Sequence, residues 1–336
     1  MKIQKRIDNP VSIDEFLIEQ ELTAGKQVTV QFSSTEYNAA MLAQLNRLCS
    51  KHDDNFVVRF YGHYGQSFDC NVLASIPNVK ALSIDCLAKA HNVEAITNLM
   101  HLERFAIGVL ELKETKLLSA ANLHNVKGLF LLDTKTKAFN LEYLKSYKNL
   151  SSLIVCGHTK NIDVLGTINS LQTLRLNSIS KAPLTFINAL KNLNFLSIML
   201  GGRENILEIQ DNNNIEHLEL VWIRGLSDLS NIGNFKMLKT LQIQDQIRLA
   251  NLHLGKGLTQ LTDLKILNCK TLDLVTGVEN LSSLQHLRIF QTNLDFDQFI
   301  KQSFPSSLKA LAFYTNKIKV DAQIKERLTK MGYDAD

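Results

Sequence analysis

Leu258-Thr259-Gln260-Leu261-Thr262-Asp263-Leu264-Lys265-Ile266-Leu267-Asn268-Cys269 is the stretch from which the fold of this chain can be read. Its apolar residues at 261, 264 and 266 follow the pattern apolar-x-x-apolar-x-apolar. The alternation Leu264-Lys265-Ile266 is that of an extended strand with two side chains on one face and the third on the other. Leu261 enters from the turn before it. The pattern returns 23 residues later in Leu281-Ser282-Ser283-Leu284-Gln285-His286-Leu287-Arg288-Ile289-Phe290-Gln291-Thr292.

Working outward, the same triplet occurs eleven times from residue 79 onward. Earlier copies are Val79/Leu82/Ile84, Leu102/Phe105/Ile107, Val126/Leu129/Leu131, Leu150/Leu153/Val155, Leu171/Leu174/Leu176, Leu193/Leu196/Ile198, Ile215/Leu218/Leu220 and Leu238/Leu241/Ile243. The last copy is Leu308/Leu311/Phe313. The steps are 23, 24, 24, 21, 22, 22, 23, 23, 23 and 24 residues, a spread too narrow for chance in an apolar chain. A step of that length accommodates a short strand, a turn, a helical or irregular segment and a return. One such coil cannot close its own apolar face, so neighbours must stack and share it.

The chain thus resembles the leucine-rich-repeat family, in its short class of about 21–24 residues, as in internalins and phosphatase-regulator proteins. The resemblance covers residues 71–316. It implies an α/β solenoid, a horseshoe with a concave parallel β-sheet, and binding to another macromolecule rather than catalysis. The family pattern expects Asn or Cys three residues after the last apolar position. Here those residues are Leu87, Leu110, Thr134, His158, Ile179, Gly201, Ile223, Gln246, Cys269, Thr292 and Asn316. Only Asn316 and Cys269 conform, with Thr134, Thr292 and Gln246 as partial substitutes, so an irregular solenoid is expected.

A stack of coils needs closed ends. Residues 1–70 do not fit the repeat and read as an N-terminal α/β cap. Ser12-x-x-Glu15 has the form of a capping box, opening a helix with Ile13, Phe16 and Leu17 that ends near Gly25. Val28, Val30 and Phe32 alternate as a strand. A helix fits 36–51 with Met41, Leu45, Leu48 and Cys49, and Phe56–Tyr61 reads as the next strand. Such a unit could continue the repeat sheet or stand as a small domain of its own. Residues 317–336 read as a C-terminal cap helix, starting at Asp321 with Ile324 and Leu328 on one face.

The residues between the inward-facing positions should point out of the concave face. Phe130, Leu132, Ile154 and Cys156 form one apolar block there; Phe195, Met199, Val221 and Trp222 form another. Apolar groups gathered where water is expected mark an interface, unless the register slips by one residue or the N-terminal helices cover them. Lys265 stands beside Arg288 in one column, with His286, Phe290 and Tyr314 near. Their repulsion would be relieved by Asp263 and solvent, or by an acidic segment of a partner. The anchors expected for a protein partner are Arg288, Phe290, Tyr314 and Trp222.

No chemistry of the chain's own stands out. With 37 basic and 33 acidic residues the net charge is +4, which argues against a nucleic-acid partner. His52 and His63 near Asp53 and Asp54 match no metal spacing. Gly255-Lys256-Gly257 lacks the frame of a phosphate loop, and no nucleophile elbow appears. No cofactor is expected. Among the cysteines, Cys156 is expected to be the most exposed. The five cysteines form no CxxC pair, and neither a secretory leader nor a membrane span is visible, so a cytoplasmic location is expected. The reading is therefore a non-enzymatic protein–protein interaction module: an adaptor, regulator or inhibitor. The alternatives are an enzyme with a site in the N-terminal cap around Tyr61, His63 and Tyr64, or a binder of an anionic partner such as nucleic acid through Lys265 and Arg288.

Overall fold

The computed structural model describes residues 3–63, 66–114, 116–135, 138–210 and 214–335. The chain divides into two compact units, Met1–Ser170 and Leu171–Asp336.

The main-sheet strands of the first unit are β1 (Gln4–Asp8), β2 (Gln27–Phe32), β3 (Phe56–Tyr61), β4 (Ala81–Leu87), β5 (Arg104–Val109), β6 (Gly128–Leu131) and β7 (Ser152–Cys156). They lie side by side in chain order, each parallel to the next. The register aligns the inward pairs: Val30 and Phe32 beside Val58 and Phe60, these beside Leu82 and Ile84, and these beside Phe105 and Ile107. The N-terminal segment therefore extends the repeat sheet instead of forming a sheet of its own. Strand β1 was not expected from the sequence. Its five residues are mostly polar, and it borders the sheet with Ile7 opposite Val30.

Helix α1 spans Glu15–Thr23, and its cap is Asp14, whose carboxylate accepts the Leu17 N–H at 3.0 Å. Ser12 is not the cap, and Phe16 is 80 % exposed, which corrects the capping-box reading. The carboxylate two residues later reaches the same kind of donor and fixes the start of the helix there. Helix α2 (Ala39–Lys51) is capped by Asn38 and buries Met41, Leu42, Leu45, Leu48 and Cys49.

The second unit holds β8 (Thr173–Asn177), β9 (Phe195–Met199), β10 (His217–Val221), β11 (Thr240–Gln244), β12 (Asp263–Leu267), β13 (His286–Phe290) and β14 (Ala310–Tyr314). Again every neighbour is parallel and in chain order. Between strands the chain makes short 3-10 turns such as Thr185–Ala189 and Ile232–Asn234, and one four-residue α-helix, α3 (Phe296–Phe299). A step of about 23 residues leaves too few for a longer helix once strand and turns are made. Helix α4 (Ile318–Lys330) packs Ile324 and Leu328 against the end of the unit. It starts three residues before the expected Asp321, whose carboxylate instead accepts the Thr315 N–H and hydroxyl at 2.7 Å.

Every residue of the eleven triplets is buried. The core of each unit is therefore the column of Leu, Ile, Val and Phe that the repeat delivers one coil at a time.

Candidate functional site

The face of each sheet opposite the core carries the side chains that could meet a partner. In the second unit, register sets Arg175, Ser197, Glu219, Gln242, Lys265, Arg288 and Ala312 side by side across β8 to β14. Arg175 pairs with Glu219 at 2.9 Å across β9, above a fully buried Ser197. Its guanidinium also lies 4.4 Å over the Phe195 ring. Phe195 is thus covered by a cation and is not part of an open apolar block. The neighbouring column is Met199, Val221, Gln244, Leu267, Phe290 and Tyr314, all half-buried. It is a ribbon of apolar groups interrupted only by Gln244. Leu267 belongs to it, directly beside Phe290, and was not among the contact residues expected from the sequence.

Lys265, His286 and Arg288 line a depression of about 310 Å³ with Asp263, Ala310, Ala312 and Asp334. The like charges of Lys265 and Arg288 do face adjacent strands. Asp263 is engaged by His286, whose Nδ1 lies 2.9 Å from its carboxylate. Asp334 comes from the chain beyond α4, where its carbonyl accepts the Leu311 N–H at 2.8 Å. Phe290 and Tyr314 are partners across β13 and β14, and the Tyr314 hydroxyl donates to the Ala335 carbonyl at 3.2 Å. Trp222 is elsewhere. It sits past the end of β10 with Asp245, Ile247, Asn268 and Lys270. Three strand spacings, about 14 Å, separate its strand from that of Arg288. The structure therefore brings Arg288, Phe290 and Tyr314 together and leaves Trp222 apart.

In the first unit Phe130, Leu132 and Ile154 are half-buried on the open side, with Phe130 opposite Ile154 and no slip of register. Leu132 lies across Gly108, where a Cβ would come within 2.8 Å of its own. Cys156 departs from expectation: it is 8 % exposed, and burial pushes its thiol up to about 11. The exposed cysteine is Cys86. Next to this patch, Arg59 pairs with Asp85 at 2.8 Å, donates to Gln31 at 2.9 Å and lies 4.5 Å over Tyr61.

The enzyme reading of the N-terminal segment finds no support in this geometry. His63 is 2 % exposed. Its Nδ1 lies 3.0 Å from the Tyr61 carbonyl, its ring packs edge-on against Phe68, and burial lowers its pKa. Tyr64 lies outside the described residues. Among the described residues no three His, Cys, Asp or Glu side chains gather as metal donors.

His63 stands three residues after Phe60, the place where the repeat calls for an amide. His158 holds the same place in its coil and is fully buried. Its Nδ1 accepts the Phe139 N–H at 3.2 Å, so Nε2 carries the proton and donates to the Leu132 carbonyl at 2.9 Å. Gln246 donates to the Leu220 and Gln244 carbonyls at 3.0 and 2.7 Å and accepts the Ile223 N–H. Cys269 sends its thiol to the Ile243 carbonyl at 3.7 Å. Each side chain ties its coil to the one before, and two of the three are residues the family pattern would not have chosen. The fold is that of the leucine-rich repeats.

Among solved structures, the leucine-rich-repeat chain is similar to a chain of the Drosophila Toll–Spatzle complex, at 16% identity and TM-score 0.52, over 96% of this chain and 48% of that one. It is also similar to LIC12759, an LRR protein of Leptospira interrogans, at 16% identity and TM-score 0.46, over 92% and 88% of the two chains. The plant peptide hormone receptor RGFR1, in complex with RGF2, aligns at 17% identity and TM-score 0.49, over 78% of this chain and 44% of that one. This chain thus spans about half the length of the first of these. No protein-family profile and no curated protein matches it. At such identities the likeness speaks to fold alone.

Proposed function

We propose that this protein is a non-enzymatic interaction module that holds a protein partner on the open face of its second unit. The carrying observation is the ribbon Met199, Val221, Leu267, Phe290 and Tyr314, apolar and half-exposed, running beside the cations Lys265 and Arg288. An apolar strip edged by charge, broken only at Gln244, is what a partner surface desolvates and what bulk water does not favour. The same fold occurs in a two-protein complex in the Toll–Spatzle structure. Phe130, Leu132 and Ile154 offer a second, smaller contact on the first unit. Five unpaired cysteines support a reducing, cytoplasmic setting. The partner role is that of adaptor, regulator or inhibitor.

The test is capture of partners by the full chain from the organism's own extract, with Arg288→Ala/Phe290→Ala as control. Truncating two anchors at one hot spot should weaken a specific partner by about a hundredfold or more. A partner retained at unchanged affinity would move the docking face elsewhere.

A further inference from the structure

Many strands of the repeat end in a residue with left-handed backbone two places after the last core residue: Cys86, Gly157, Ser178, Leu200, Trp222, Asp245, Asn268 and Gln291. Glycine, asparagine and aspartate enter that region readily; a bulky side chain does so at a cost. Tryptophan at φ 48° is therefore an unfavourable choice. Burial does not offset it, since Trp222 is 58 % exposed.

The surroundings of Trp222 point to an occupant. Its ring, with Ile247 (54 % exposed), borders a depression of about 310 Å³ floored by Asn268 and edged by Lys270. Arg224 stands two residues beyond Trp222, and Arg248 one beyond Ile247; both are exposed. Among the described residues, Arg224, Arg248 and Lys270 have no ion-pair partner. The acid of the depression, Asp245, already accepts from Gln244 at 2.9 Å and from the Asn268 amide. Asp228, farther along its coil, accepts the Ser230 N–H at 2.8 Å. Lys270 lines the depression, and the exposed Arg224 and Arg248 lie within two residues of its lining; set against Asp245 they leave two cations in excess beside two uncovered apolar side chains, which complements an acidic chain that carries an apolar side chain of its own.

We infer that the rim past the ends of β10, β11 and β12 is a peptide site, separate from the open face of the sheet. Its ligand is an extended acidic segment of a partner protein. One apolar side chain of that segment sits between Trp222 and Ile247, and its carboxylates meet Arg224, Arg248 and Lys270. The strain carried by the free protein at Trp222 is offset when the ring is covered in the complex.

Trp222 is the only tryptophan in the chain, so its fluorescence reports on this site alone. The experiment selects a displayed library of random peptides of about a dozen residues on the full chain, with counter-selection on Trp222→Asn. Synthetic versions of the enriched peptides, free of tryptophan, are then titrated against Trp222 emission. Enriched peptides should be acidic around one aliphatic or aromatic residue, and binding should blue-shift the emission and saturate. Affinity should drop about tenfold for each of Arg224→Ser and Lys270→Ser, and steeply with salt. Trp222→Asn should abolish binding of the labelled peptide, read by anisotropy, while raising the melting midpoint. A purely structural tryptophan would lower that midpoint. Enrichment of basic or neutral peptides, no enrichment, binding that survives Trp222→Asn, or a lower midpoint in that variant would each overturn the inference. So would equal binding of poly-glutamate or of a nucleic acid, which would make the rim a general anion surface. Arg288→Ala/Phe290→Ala should leave peptide binding unchanged, so failure of the open-face reading and failure of this one are read separately.

Discussion

A ladder position can be filled by any side chain that offers one donor and one acceptor at the right reach, and at His158 that side chain titrates. Its two bonds require a neutral ring: Nδ1 must accept from Phe139 while Nε2 donates to Leu132. Burial holds its pKa below the ordinary value, against the bond to Leu132 and the opposing pull of Asp133. The unfolded ring takes up a proton near pH 6.5, where the folded ring does not. The unfolded state thus binds more protons, and stability contributed by neutral His158 is complete above about pH 6.5 and falls as the pH drops toward its lower folded pKa. The loss is up to about 1.4 kcal/mol per pH unit in that window. His63, buried and lowered in the same direction, adds to it. His158→Asn keeps one donor and one acceptor without the titration. Its melting midpoint should fall less than that of the wild type between pH 7 and pH 5, measured by thermal denaturation in matched buffers; an equal fall would remove His158 as the source.

The elements that carry the fold were legible because their signals are periodic. The triplets repeat eleven times, so an error in one could not hide the others. The helix starts were less legible because they depend on a single bond. Ser12 and Asp14 are both good caps by residue type; the chain uses Asp14, which leaves Ser12 outside the helix. Asp14→Ala should cost about 1 kcal/mol in chemical denaturation, and Ser12→Ala close to nothing. The reverse order would restore the capping box. Strand β1 was not legible at all. It is an edge strand of Gln4, Lys5, Arg6, Ile7 and Asp8, whose charges suit a border and erase the alternation that marks an inner strand. The candidate site shows the same division. Columns of outward residues could be read off the repeat, and Phe290 does stand beside Tyr314 as the repeat implies. The stacking of Arg175 on Phe195 and the closure of Cys156 are side-chain events that no column reveals.

Seen as a whole molecule, a solenoid buries each coil only against its neighbours, so damage should stay local. Leu241 lies in the core of the second unit between Leu218 and Leu264. Leu241→Ala removes atoms that the adjacent coils cannot replace and should cost about 2–5 kcal/mol. Hydrogen exchange should rise first in β10, β11 and β12 and least in β14. Uniform acceleration across the second unit would mean that it unfolds as one block. The same architecture explains why net charge says little about binding here. A charge of +4 spread over 336 residues is slight, whereas the depression by Trp222 has Lys270 on its lining, with Arg224 and Arg248 exposed within two residues of that lining in the chain.

The amino-acid order alone settled the coil: its length, its inward residues and the parallel stacking they impose, because burying a repeated apolar face has one solution at this spacing. Only the folded chain decided which outward groups remain available. Arg175 covers Phe195, His286 takes Asp263, and Trp222 is left standing in a strained backbone. Those outcomes depend on side chains from different coils competing for the same few ångströms, and such competition exists only once the coils are stacked.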